Sequence, residues 1–170
     1  MARTCHIWAT ITAVSSPAGV QSSPLLHALE LAWDAIRERH PELPPVVMVL
    51  AAGSVGVAPG TLKLGHYAAL RWSHGGEQLA EVFVGGEGLR RGPVDVLGTL
   101  LHEAAHALAD VRGIKDTSRQ GRYHNGRYAA VARELLLDVA EVGDIGWSDT
   151  CPTDEARRVY ADVLAISPRR

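Results

Sequence analysis

Apolar positions recur at intervals of three and four through residues 24–40, where Leu25, Leu26, Leu29, Ala32, Trp33 and Ile36 form one stripe. The spacing predicts an amphipathic helix with Ser23 as its N-cap and Pro24 at the first helical position. The proline-rich stretch His40 to Pro45 ends it. Before this helix, "CHIWATITAV" (5–14) alternates loosely and is rich in β-branched residues, which predicts a strand. After it, "VVMVLAAG" (46–53) predicts a buried strand, and "TLKLGHYAALRW" (61–72) and "QLAEVFVGG" (78–86) predict two more, joined by a hairpin turn at "SHGGEQ". A second helix is expected over 94–111, with Pro93 near its start and Gly113 beyond its end. Residues 114–126 then read as a loop, 125–140 as a third helix, 143–152 as a loop and 153–165 as a last helix. The order predicts an α+β domain. Its N-terminal helix packs on a small sheet of three to four strands, and further helices follow toward the C-terminus.

The second helix is apolar nearly all round, yet its centre, "TLLHEAAHAL" (99–108), carries His102, Glu103 and His106. Burying these three together without partners would cost on the order of several kcal/mol. Residues four apart share a helix face, so His102 and His106 can aim two imidazoles at one point. Zinc takes imidazole nitrogen at about 2.0–2.1 Å in tetrahedral geometry, and a rigid helix supplies two such ligands without loop entropy. Glu103 projects beside the pair, where it can serve as general base toward a metal-activated water.

A catalytic zinc site takes a third protein ligand. His124, the only histidine downstream, is the preferred one, and Glu134 is the competing ligand for a two-His, one-Glu site. Asp110 and Asp116 are candidate acceptors for the outer N–H of a ligand imidazole, although surface salt bridging is the plainer role for both. His6, His27, His40, His66 and His74 show no metal spacing.

The segments "LLHEAAHAL" and "DTSRQGRYHNGRYAAVARELLLDV" resemble the SprT-like zinc metallopeptidases over about residues 80 to 147. These proteins carry H-E-x-x-H on one helix and a further histidine at the start of the next. The resemblance implies a small zincin-like fold with a sheet edge along the active-site helix. It implies zinc on His102, His106 and His124, with Glu103 as catalytic acid/base. It also implies one metallopeptidase domain over residues 1–170 that hydrolyses peptide or protein substrates. The four-Cys zinc ribbon of many members is not expected, because the chain holds only Cys5 and Cys151.

In the mechanism so implied, Glu103 takes a proton from the zinc-activated water and returns it to the leaving amine. Tyr123 and Tyr128 are candidate second electrophiles. "AEVFVGG" is expected at the sheet edge, ready to pair with an extended substrate. A rival reading is a non-catalytic, zinc-stabilised domain that binds protein or nucleic acid.

Composition narrows the classes. At 46% hydrophobic and 21% charged, the chain is ordinary for a globular protein. Its net charge of −2 offers no global field for DNA. A local basic group, Arg112, Lys115, Arg119, Arg122, Arg127 and Arg133, leaves a nucleic-acid or acidic partner open, though a solvated face is the simpler reading. No run has the length of a membrane span. His6, Thr10 and Thr12 interrupt the N-terminal apolar run, which makes it a poor signal sequence, and a cytoplasmic location is expected.

Overall fold

The computed structural model describes residues 22–58 and 60–165. The strand expected over 5–14 lies outside them. Helix α1, Ser22–Arg39, forms on the predicted stripe and buries Leu29, Ala32, Trp33 and Ile36. Arg37 and Arg39 fall in its last turn, where the helix dipole favours cations.

Three strands follow: β1, Val46–Ala51; β2, Gly65–His74; and β3, Glu77–Gly85. Their order is β1-β3-β2, with β1 parallel and β2 antiparallel to β3. The "AEVFVGG" segment is therefore the central strand. The edge strands are β1 and β2, and it is β2 that runs along the next helix. The reason is burial: Val82 and Val84 have no more than 1% exposure and need cover from strands on both sides.

A 3-10 helix, Gly86–Arg91, leads into α2, Pro93–Val111. Leu97, Leu100, Leu101, Ala104, Ala105, Ala107 and Leu108 are all buried on α2, so the helix is the axis of the hydrophobic core. Truncating a fully buried leucine such as Leu101 to Ala would cost about 2–5 kcal/mol.

The chain beyond α2 differs most from expectation. The segment 114–126 is not all loop: it contains β4, Thr117–Ser118, and β5, Tyr123–His124. Helix α3, Gly126–Glu134, stops well short of residue 140. Leu136 takes φ 61°, and the chain then turns into β6, Leu137–Val142. The stretch expected as a loop over 143–152 holds a 3-10 turn, Gly143–Ile145, and β7, Gly146–Pro152. β6 and β7 pair antiparallel, which satisfies their backbone groups and overrides the helical preference of "ELLLD". The result is a second sheet, of order β4-β5-β7-β6, where one sheet was expected. The last helix breaks at Tyr160 into α4, Asp154–Val159, and α5, Ala161–Leu164.

The architecture is α+β, with α2 packed against α1, β2, α3 and β7. Among the described residues, no helix is long and apolar enough to cross a membrane.

Candidate metal centre

His102 and His106 lie one turn apart on α2, and His124 reaches them from β5 rather than from a helix start. Two features hold His124 there. Asn125 caps α3, its Oδ1 accepting from the N–H groups of Arg127 at 2.8 Å and Tyr128 at 3.3 Å. Its own N–H donates to the Asp116 carbonyl at 2.9 Å, which ties the start of α3 to the preceding loop. On the other side β5 pairs with β7 at Gly146, whose φ is 72°. A Cβ at Gly146 would stand 2.2 Å from the His124 carbonyl oxygen, so only glycine allows this approach.

The three imidazoles form a nearly equilateral triangle, with ring centroids 5.1, 5.0 and 5.0 Å apart. Their ligand atoms lie within 4.8 Å of one another, and His106 Nε2 stands 3.1 Å from His124 Nε2. Tetrahedral zinc places two nitrogen ligands about 3.3 Å apart, so the donor set and its spacing fit such an ion. Each outer nitrogen faces an oxygen: His102 Nδ1 and Thr150 Oγ1 at 3.1 Å, His106 Nδ1 and Asp116 Oδ2 at 2.5 Å, His124 Nδ1 and the Ile145 carbonyl at 3.4 Å. An Nδ1 proton donated outward leaves each Nε2 lone pair facing inward. Burial, and then the neighbouring histidines, hold the His102 pKa well below the usual range. Burial, with His106 next, lowers that of His124 as well. Neutral imidazole is the form that binds metal.

Glu103 is 5% exposed and sits under the edge of β2. Burial pushes its carboxyl up to about 7, against the opposing pull of His106, the Tyr67 backbone N–H and Lys63. A Cβ at Gly65 would stand 2.6 Å from Glu103 Oε1, so the missing side chain at the start of β2 lets strand and carboxylate meet. A cleft crosses this point. One lobe, about 390 Å³, runs toward Arg91, Asp95 and Ser148. The other, about 500 Å³, runs toward Tyr67, Asp110 and Asp116, and both lobes share Gly65, His102 and Glu103.

The remaining candidates fall elsewhere. Glu134 accepts from Arg112 Nη1 at 2.7 Å, in an ion network with Glu42, apart from the histidine cluster. Asp110 accepts from the Tyr67 hydroxyl at 3.0 Å rather than from a ligand imidazole. Asp116 does face His106, so its plainer role as a surface salt bridge is corrected: it orients an imidazole of the cluster. The Tyr123 hydroxyl donates to Glu141 at 2.7 Å and is exposed. The Tyr128 ring packs 5.0, 4.8 and 4.6 Å from the three histidine rings and closes the cluster from inside the core.

Arg112 is paired, Arg119 lies over Tyr123, Arg122 donates to Gln120, and Arg133 lies over Trp147. His66 contacts the buried Glu81 on the far face of the sheet, and His27 pairs with Glu30.

Gly65, Gly146 and Thr150 were not singled out in the sequence. The alternation of Ser148, Thr150 and Pro152 was the available signal for a strand there. Set against family models, curated proteins and solved structures, the chain matches none. Fold and site together define an α+β protein whose three clustered histidines are close enough to bind one metal ion.

Proposed function

We propose that the chain is a zinc-dependent peptidase of the SprT-like, zincin kind, acting on an extended peptide or protein segment. The observation that carries this reading is the position of Glu103: a buried carboxyl between the histidine cluster and a sheet edge, open to a cleft on both sides. A site with a purely structural role needs no such group. A zinc ion held by His102, His106 and His124 would supply a Lewis acid and lower the pKa of water toward about 7.

The chain's own residues supply the rest. Asp116, Thr150 and the Ile145 carbonyl fix the three rings through their outer nitrogens. Glu103 takes a proton from the attacking water and hands it to the leaving amine nitrogen. Its buried position beside the cluster and against β2 places one carboxyl for both transfers. Edge strand β2 offers unpaired backbone groups to an extended substrate, and Gly65 keeps that approach open beside Glu103. Neither tyrosine is assigned the role of second electrophile: the Tyr123 hydroxyl bonds Glu141, and Tyr128 is fully buried against the histidine rings.

Glu103→Gln tests the reading. It should keep bound metal and lose peptide hydrolysis by about 100-fold or more. Full metal with unchanged turnover would contradict it.

A further inference from the structure

Strand β2 meets α2 at two points. The first is Gly65, where an added Cβ would stand 2.6 Å from Glu103 Oε1. The second is Tyr67, whose hydroxyl donates to Asp110 Oδ2 at 3.0 Å. Side chains alternate along a strand, so Gly65 and Tyr67 share the face of β2 toward α2. On the helix, Glu103, His106 and Asp110 follow at intervals of three and four and share one face as well. The Tyr67 ring packs against the core, and its hydroxyl meets Asp110 at the border of the larger cleft lobe.

The ladder holds this part of β2 from one side only, because β2 is an edge strand. Its regular pairing with β3 runs from Gly65 to Ala68 before the register shifts, and Leu70 there takes φ 51°. At the start of that stretch the Gly85 N–H donates to the Leu64 carbonyl at 2.8 Å. The alternation of an antiparallel ladder then gives the His66 backbone groups to β3 and turns those of Gly65 and Tyr67 to the open edge. Glu103 lies at that edge, and the Tyr67 N–H is one of the groups that pull on its carboxylate.

We propose that Tyr67 and Asp110 are positioning residues for the base, Glu103. Their hydrogen bond ties the open edge of β2 to α2 and so keeps the Tyr67 N–H at the Glu103 carboxylate. The inference rests on the peptidase reading, and neither side chain touches the reacting atoms. Without the tie, Glu103 keeps its place on α2 but loses the strand that sets the orientation of its carboxylate.

The test uses the zinc-loaded full chain and a peptide that wild type cleaves. Tyr67→Phe keeps the ring and removes the bond; Asp110→Ala removes the acceptor, and Asp110→Asn keeps one. Tyr67→Phe and Asp110→Ala should each lower kcat about 10–100-fold, the effect of a displacement of about 1 Å. KM and zinc affinity should stay within about threefold of wild type. Asp110→Asn should bring kcat back to within about threefold. In the Glu103→Gln background, Tyr67→Phe should change the residual rate by no more than about twofold, because a positioning effect ends with its target. Unchanged kcat in both variants, or the same fractional loss in the Glu103→Gln background, would overturn the proposal. A second readout needs no activity: amide hydrogen exchange in the metal-free chain. The Tyr67 N–H should exchange at least about tenfold faster in Asp110→Ala than in wild type, while the His66 N–H, bonded within the ladder, stays within about threefold. Equal exchange at Tyr67 overturns the tie. Should wild type cleave no peptide, the peptidase reading fails, and exchange alone decides whether the pair holds β2 at Glu103.

Discussion

Replacing Asp116 by Asn removes the carboxylate that faces His106 Nδ1 at 2.5 Å. The two side chains are 19% and 16% exposed, so their interaction is only weakly screened by solvent and salt. The main chain should tolerate the change, because the Asp116 carbonyl keeps its bond from the Asn125 N–H at 2.9 Å. Loss of such a partner lowers metal affinity about 10–100-fold, or about 1.4–2.7 kcal/mol. Asn keeps an oxygen that can accept the imidazole proton and should fall near the lower limit; Ala should fall near the upper one. Competition with a chromophoric zinc chelator measures the change. Glu134→Gln is the control, since Glu134 bonds Arg112 outside the cluster. If Asp116→Asn and the control both bind zinc within about twofold of wild type, Asp116 does not orient a ligand and the argument fails.

Two further predictions concern stability. The Tyr128 hydroxyl is buried without a partner, and such a group costs about 1–3 kcal/mol, so Tyr128→Phe should raise the unfolding free energy by about 1 kcal/mol in urea denaturation of the metal-free protein. A loss of stability would mean that the hydroxyl is bonded. Glu87 accepts from the Gly53 N–H at 2.7 Å and from Ser54 Oγ at 3.2 Å, and these bonds, the Gly53 one foremost, hold its pKa below 4.5. A depressed carboxyl contributes stability above its unfolded pKa and loses it as pH falls through the folded value. Wild type should therefore exceed Glu87→Gln in stability at about pH 6 and approach it at about pH 3. An advantage that grows on acidification would reverse the assigned sign.

The helix α2 was legible in the sequence because two signals agree there: an apolar run of helical length and a four-residue histidine spacing on one face. His124 was legible as a chemical candidate, since it is the sole histidine after His106, but its element was not. β5 has only two residues, too few for any periodicity to register, and the Asn125 cap sets the following helix one residue later. "ELLLDVAEV" reads as helix because leucine favours helices, yet Leu136 turns the chain and β7 supplies a pairing partner that local sequence does not reveal. Missing β7 meant missing Thr150 and Ser148, which reach the site only through strand alternation. Gly65 escaped notice for a related reason: its role is the close passage of β2 over Glu103, a contact between segments far apart in the chain.

The central claim is that the ionisable residues inside α2 are there for a metal. Metal content of the purified chain by plasma mass spectrometry, before and after zinc titration, tests it most directly. The account predicts about one zinc per chain, retained in Glu134→Ala and largely lost in His124→Ala. A chain that carries no metal and takes none up, or a His124→Ala variant with wild-type zinc content, would contradict it.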